Sequence, residues 1–455
     1  MMRSKAEQLK APRGTRDLVG PLQDLFEKIE ASGRRAAEAA GYRRISTPIF
    51  ENAALFVRSV GEETDVVGKE MYLLQDRKGR RLALRPEGTA PVVRAFIERN
   101  LASAGLPVRL YYLGPMFRYE RPQGGRYRQF HQFGCELFGS SSPAADFEVV
   151  GVARRFLEDL GVASHLVLNH LGCPRCKEAF ARSLADFAKT ISDRLCPDCR
   201  RRAERNPLRL LDCKVPDCRD LHSLAPEMEL CEACSANAAS IKNALREAGI
   251  EFSWDSRLVR GLDYYTGVVF EFRSADLGAQ DAVLGGGRYD ELVEALGGPS
   301  TPAVGFAAGI DRLALLLERT SSSPLRPFVV ILPMEERQTL AAAELADGLR
   351  AAARKELPKH CSDREPVILS ALRARRLKTA LAEAAEAGAR FVVILGENEM
   401  ARGSVTVKNL DTREQWSVSV EDYSRAGGTN LAHFLREHSV PRKKAEQETI
   451  SGGKD

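Results

Sequence analysis

The stretch Arg128–Phe138, RQFHQFGCELF, constrains the fold more than any other part of the chain. Its polar and apolar residues alternate, and successive side chains of a strand point to opposite faces. One face would carry His131, Phe133, Cys135 and Leu137, a set suited to a core. The other would carry Phe130, Gln132, Gly134 and Glu136. An antiparallel sheet can leave such a face to water. Gly134, however, opens space between Gln132 and Glu136, and Phe130 offers a flat surface at the end of the row, so the pattern favours a face that meets a ligand. Upstream, Pro107–Phe138 holds two strand patterns around the polar turn Arg121-Pro122-Gln123-Gly124-Gly125, which reads as a hairpin. Its tip gathers Arg118, Arg121, Arg126 and Arg128 near the polar face. A solvated basic loop is the plain reading. Four guanidinium groups beside a Gly-Gly turn also suit a triphosphate, because arginine forks bind phosphate oxygens in pairs.

A conventional phosphate loop is absent. Gly61–Lys69 places six residues between its glycines, with Glu70 where a hydroxyl is needed. The other segments dense in special residues are Arg260–Gly267, which opens a strand with a charged turn, and Leu284–Asp290, which ends a strand in three glycines. Glycine there lets backbone approach a ligand closely.

The 455 residues are enough for about three domains, or for one large core with insertions. Lys and Arg number 67 against 62 Asp and Glu, and a net charge of +5 does not by itself announce a nucleic-acid partner. Apolar runs such as Phe391–Leu395 are too short to span a bilayer. The start of the chain (Arg3, Lys5, Lys10, Arg13) lacks the apolar block of a secretory signal. Helices are expected over 21–41, Ala144–Leu160 and Gly309–Leu317, and strands over Tyr42–Phe50, Glu251–Arg260, Tyr264–Arg273, Gln280–Leu284 and Ala303–Ala307.

Residues 171–250 have a different texture and read as a small domain inserted in a core spanning 1–325. Eight of the ten cysteines lie here, six of them in CxxC pairs. In a long chain without a signal this points to a reducing compartment, the cytoplasm, and to metal rather than disulfides. Cys173/Cys176, Cys196/Cys199, Cys213/Cys218 and Cys231/Cys234 suit one or two tetrahedral zinc sites. Six arginines, Arg194, Arg200, Arg201, Arg202, Arg205 and Arg209, are expected to touch nucleic acid. Ser321–Pro324 reads as a linker. Beyond it strands (Phe328–Leu332, Phe391–Leu395, Ser404–Lys408) alternate with helices (Gln338–Ala353, Arg373–Ala387), which argues for an α/β domain over 326–425. A C-terminal helix and polar tail, frayed from Pro441, make up 426–455.

Arg118-Tyr119-Glu120, the arginine-rich tip and Phe130 resemble motif 2 of the class II aminoacyl-tRNA synthetases. Ala303–Leu313 (AVGFAAGIDRL) resembles motif 3, and Tyr42–Glu51 resembles motif 1. RGLDYYTGVVFE (Arg260–Glu271), LGGGRYD (Leu284–Asp290), LRPEGTAPVVRAF (Leu84–Phe96) and KEMY (Lys69–Tyr72) are similar to the histidyl-tRNA synthetase family, over about residues 10–425. The resemblance implies an α+β fold: an antiparallel sheet core flanked by helices, a small inserted helical domain and a C-terminal α/β anticodon-binding domain. It also implies a homodimer pairing through motif 1, with tRNA(His), L-histidine and ATP as partners and no membrane. Arg118 and Arg260 would contact the α-phosphate and act catalytically. Arg126 and Arg312 would hold the remaining phosphates, Phe130 would stack on adenine and Glu120 would meet its amino group, with Mg²⁺ on the β- and γ-phosphates. Glu87 and Thr89, with Gly88 between them, and Gln132 would form the α-ammonium site. Glu136, Tyr264 and Tyr265 would line the imidazole pocket. Zinc is not implied by the family, and residues 354–367 depart from its spacing. A non-catalytic regulatory subunit of ATP phosphoribosyltransferase shares the resemblance, but such chains lack the C-terminal domain and keep only a degraded RGLDYY segment. Both features are intact here.

Overall fold

The computed structural model describes residues 9–61, 64, 66–121, 125–213, 215–221, 224–277, 281–318, 328–357, 365–420 and 422–439. The Ser321–Pro324 linker, the centre of the hairpin turn, part of the Gly61–Lys69 and 354–367 segments, and the tail from Pro441 lie outside them. The chain forms two compact units, before and after residue 322, and each is described by itself.

The first unit opens with α1 (Pro21–Ala39). Proline begins this helix because its fixed φ suits the first turn, where an N–H would have no partner anyway. Then come β1 (Arg43–Arg44), β2 (Phe50–Asn52), α2 (Ala53–Val60), β3 (Leu73–Gln75), β4 (Arg81–Leu84), α3 (Thr89–Glu98), β5 (Val108–Phe117), β6 (Gln129–Phe138), α4 (Pro143–Asp159) and β7 (His165–His170). The segment between β7 and β8, expected to be an inserted domain, supplies α5 (Pro174–Thr190), α6 (Pro197–Arg205), α7 (Pro216–Leu221) and α8 (Glu232–Glu247), of which α8 packs its Ile241 and Leu245 into the main core. The core resumes with β8 (Phe252–Trp254), β9 (Thr266–Arg273), β10 (Ala282–Arg288), α9 (Leu292–Ala295), β11 (Ala303–Gly309) and α10 (Ile310–Leu317).

Eight of these strands form one sheet in the order β1-β5-β6-β11-β10-β9-β7-β8. The pairs from β5 through to β7 are antiparallel, and β1 and β8 join the edges in parallel. The expected alternation in β6 holds for Phe133, Cys135 and Leu137, which sink into the core that α1, α4, α8 and α10 build on one face, but His131, expected with them, is only half-buried and borders the cleft. Phe133 is fully buried among the rings of Phe156, Phe306 and Tyr111, at 4.8, 5.6 and 6.4 Å. The opposite face is covered by α3 and the segment holding Leu258, Tyr264 and Tyr265. A smaller sheet, β2-β4-β3, lies within the same unit.

Three strand expectations change, the first being Glu251–Arg260, which shortens to β8 (Phe252–Trp254) and leaves Arg260 on the irregular segment that follows. Tyr42–Phe50 divides into β1 and β2, with Arg85 bridging the gap by donating to Thr47 and Pro115 carbonyls at 2.9 Å. The three glycines do not end β10 but lie inside it, paired to both β9 and β11. Turn-forming residues persist in a strand here because the Arg260 guanidinium at Gly285, and backbone carbonyls with neighbouring side chains at Gly286 and Gly287, occupy the space their Cβ atoms would need.

The second unit continues with β12 (Val329–Pro333), α11 (Thr339–Glu356), β13 (Ile368–Ser370), α12 (Leu377–Glu386), β14 (Phe391–Leu395), α13 (Glu397–Ala401), β15 (Ser404–Asn409), β16 (Gln415–Ser419) and α14 (Arg425–Glu437). Its sheet runs β13-β12-β14-β15-β16, parallel among the first three strands and antiparallel beyond. Leu431, Ala432 and Leu435 of α14 share one core with α11. The helix expected from Arg373 starts only at Leu377. Ala374 instead donates its N–H to the Glu336 carboxylate at 3.1 Å, so the exposed Arg373, Arg375 and Arg376 stand on the approach to α12.

Phe133→Ala removes a ring that the surrounding aromatics cannot replace. It should lower unfolding free energy by about 3–5 kcal/mol, read from the midpoint of urea denaturation.

Candidate active site

The polar face of the sheet holds a cleft of about 700 Å³, counted out to open solvent. It lies over β6, β11 and β10. Its walls include Arg118, Glu120, Arg126, Phe130, Gln132, Arg260 and Arg312, all expected from the sequence, and also Tyr127, His131 and Asp311. Because β5 and β10 flank β6 and β11, Arg118 at the end of β5 and Arg260 above β10 stand on opposite sides.

Each guanidinium has a fixed post. Arg118 donates to the Pro86 carbonyl at 2.9 Å and sits 5.4 Å from the centre of the Phe130 ring. Arg126 pairs with Glu120 at 3.1 Å. Arg260 pairs with Glu271, which also takes Arg273 at 2.9 Å. Burial and the neighbouring Arg126 both depress the pKa of Arg312, as expected where several cations face one another. Arg260 can lie flat on the sheet because Gly285 is beneath it: a Cβ there would fall within the guanidinium. Arg260 Nε and Gln132 Oε1 are buried without a hydrogen-bond partner among the described residues. Leaving such atoms unpaired costs about 1–3 kcal/mol each, which marks a place built for a polar ligand.

Glu87, Gly88, Thr89, Glu136, Tyr264 and Tyr265 do not line this cleft; the side chains of all but Gly88 gather in a buried cluster beside it. Arg118 joins the two, through its bond to Pro86 and its attraction to Glu87. Glu87 accepts the N–H groups of Thr89 and Ala90 at 2.7 and 2.9 Å, capping α3 with a carboxylate. Thr89 Oγ1 donates to Glu136 Oε1 at 2.7 Å, and the Tyr289 hydroxyl donates to Glu136 Oε2. Glu136 lies across β11 where Gly305 has no side chain. The space over Gly134, expected to be open, is filled by the Tyr112 ring.

The sequence singled out neither Tyr112 nor Asp311 individually. Asp311 accepts the His131 N–H at 2.7 Å and pairs with Arg16 at 2.8 Å. Arg209 is a correction: it is buried and bound to Asp263 at 2.6 and 2.9 Å, so it is unavailable to nucleic acid. Arg194, Arg200, Arg201 and Arg205 remain exposed.

Burial pushes the Glu136 carboxyl up to about 8, against the pull of Thr89 and Tyr289. An unfolded glutamate ionises near 4.5, so the native state keeps a proton that the unfolded state has released. Stability should decline from pH 4.5 to 8 and level off above. Glu136→Gln cannot ionise and should lose that slope. Urea unfolding of both proteins at about pH 5 and pH 8.5 checks this, and parallel pH profiles would refute it.

The model of a family described as "Histidyl-tRNA synthetase" matches residues 14–313, and one described as "Anticodon binding domain" matches 328–426. The chain is 46% identical to a histidine–tRNA ligase of Desulforudis audaxviator, covering 90% of this chain and 96% of that protein. It is 45% identical to one of Thermotoga maritima, covering 89% and 95%. Its backbone is similar to the apo S. aureus histidyl-tRNA synthetase crystal structure, with a TM-score of 0.74, 30% identity, and coverage of 94% of this chain and all of that one. With a family match over most of its first unit, and relatives matched over nearly their whole length, the chain belongs to the histidyl-tRNA synthetase family.

Proposed function

We propose that the chain is a histidine–tRNA ligase: it activates L-histidine with ATP to histidyl-adenylate, releasing diphosphate, then passes the histidyl group to tRNA(His), releasing AMP. The observation that carries this is the ring of Arg118, Arg126, Arg260 and Arg312 around one cleft on a polar sheet face. When a carboxylate oxygen attacks the α-phosphorus, charge builds on the non-bridging oxygens. Cations held in place beforehand favour that state over the ground state. Arg118 and Arg260, on opposite sides, take this role, and the unpaired Arg260 Nε offers one more donor. Arg126 and Arg312 hold the outer phosphates, Phe130 stacks on adenine and Glu120 accepts from its amino group.

Histidine sits towards the buried cluster. Glu87, Gly88, Thr89 and Gln132 receive the α-ammonium, and the free Gln132 Oε1 fits that part. Glu136, Tyr264 and Tyr265 receive the imidazole, whose ring nitrogen would share a carboxylate oxygen with Thr89 or Tyr289. A ligand without matching nitrogens leaves those polar groups unpaired, which sets specificity. Mg²⁺ supplies charge neutralisation at the β- and γ-phosphates. The two carboxylates in the cleft wall, Glu120 and Asp311, already face Arg126 and Arg16, so phosphate oxygens would be its main ligands.

The anticodon arm would meet the second unit, where Arg373, Arg375, Arg376 and Lys378 are all exposed. A homodimer fits the exposed Ile49, Phe50, Leu73 and Leu74 beside and on the small sheet. Among the described residues no helix is long and apolar enough to cross a membrane, and the cytoplasm is the proposed location. Zinc in the insertion would support structure and take no part in phosphoryl chemistry. The regulatory-subunit reading is not favoured, given relatives at 42–46% identity that carry the ligase name.

The test is charging of total tRNA with labelled histidine, with other amino acids as controls. Charging by none would return the regulatory reading. Arg260→Ala should cut histidine-dependent ATP–pyrophosphate exchange by orders of magnitude while circular dichroism stays unchanged. Near-normal exchange would remove Arg260 from the mechanism.

A further inference from the structure

The eight cysteines of the insertion separate into two groups. Cys173, Cys176, Cys231 and Cys234 form one, and Cys196, Cys199, Cys213 and Cys218 the other; within each, all sulfurs lie within 4.8 Å of one another. Cys173 and Cys176 are 3.7 Å apart, Cys173 and Cys231 4.0 Å, and Cys196 and Cys213 3.9 Å. A disulfide needs about 2.05 Å. Four sulfurs at about 2.3 Å from a tetrahedral zinc are about 3.8 Å from each other, so the spacing is that of a metal tetrahedron.

The surroundings suit thiolates. Cys173, Cys196 and Cys231 are the N-caps of α5, α6 and α8, where the helix dipole favours negative charge. Backbone N–H groups point at the sulfurs: Cys173 to Cys234 and Cys231 to Cys176, both at 3.2 Å, and Cys196 to Cys218 at 3.1 Å. The first exchange is reciprocal between the two CxxC turns, as a shared central ion would require.

Both groups adjoin the segment bearing Arg260, Tyr264 and Tyr265. Gly267, at this strand entry, exchanges backbone bonds with the residues just before Cys173: its N–H donates to the Gly172 carbonyl at 3.0 Å and its carbonyl accepts from the Leu171 N–H at 2.6 Å. Lys177, just after Cys176, donates to the carbonyls of Asp263 and Tyr265 at 2.9 and 3.1 Å. Arg209, between the second group's two pairs, grips the Asp263 carboxylate.

We propose that the insertion carries two structural zinc ions, one per cysteine group, and that they fasten it onto the Arg260–Tyr265 segment through Lys177 and Arg209. The outer ion ties the insertion's entry to its exit. The inner ion holds the turn that presents Arg209. Lys177 and Arg209 are positioning residues: they touch the backbone and Asp263, and neither lines the cleft.

Zinc content of the full-length protein, purified without chelator, tests the metal. Two per chain is expected; less than one overturns the metal, and a value near one overturns the second site. X-ray absorption should show four sulfurs per zinc at about 2.3 Å, and a shell mixed with nitrogen or oxygen would overturn the ligand assignment. Neither measurement needs a variant to fold or the protein to be a ligase. The fastening rests on the proposed histidine activation and is read separately. Arg209→Ala, with two zincs retained, should raise KM for histidine in pyrophosphate exchange about tenfold. Arg209→Lys should recover part of that. Unchanged kinetics in Arg209→Ala would overturn the fastening, and absence of histidine-dependent exchange in the unmutated chain would sink the ligase reading while leaving the zinc result standing.

Discussion

A charged side chain can lie flat against a β-sheet only where the sheet gives it room. In this protein that room comes from two missing side chains, at Gly285 under the Arg260 guanidinium and at Gly305 under the Glu136 carboxylate. Both sit on central strands, with neighbours hydrogen-bonded on either side. The sheet is therefore a rigid floor with a guanidinium and a carboxyl group inlaid in it, and the cleft inherits that rigidity. A side chain at Gly285 would push the Arg260 guanidinium off the floor, and one at Gly305 would meet both the Glu136 carboxyl and the Cys135 carbonyl of the adjoining strand.

The electrostatics follow from the same arrangement. Four guanidinium groups around one cleft repel one another, and the fold limits this by assigning carboxylates: Glu120 to Arg126 and Glu271 to Arg260. Asp311 is held behind them by Arg16 and the His131 N–H. The buried cluster follows a different rule. Glu136 lies out of water and keeps its proton to about pH 8, so it can lie near Glu87 without the cost of two facing charges. One half of the site is held as paired ions, and the other is built around the protonated Glu136 with its hydrogen bonds to Thr89 and Tyr289.

Much of this could be read from the chain because it is local. Alternation in Arg128–Phe138 assigned Phe133, Cys135 and Leu137 to the core and Gln132 to the polar face. The motif positions brought Arg118, Arg126, Phe130, Arg260 and Arg312 into one cleft. What escaped depends on residues distant in sequence. Tyr112 fills the space over Gly134 from the neighbouring strand. Arg209 looked like one more exposed cation of a basic run, and only its pairing with Asp263 reveals otherwise. The glycines of β10 looked like a turn because local propensity says so, and packing overrode it. Arg373 to Arg376 looked helical because their composition does not show that Glu336 claims a nearby N–H.

The order of strands has a consequence for how the chain is made. Strand β6 pairs on one side with β5, its neighbour in sequence, and on the other with β11, which follows the whole insertion. During synthesis at roughly 5–20 residues per second, the β5–β6 hairpin waits on the order of ten seconds or more for that partner. Throughout this interval β6 has an open edge, and such edges recruit foreign strands. The insertion emerges in the meantime and can close around its own cysteines before the sheet is complete. With the proposed zinc ions in place, a metal-closed side lobe would leave the ribosome ahead of the floor it will rest on, and the last strands would have to slot between parts already present.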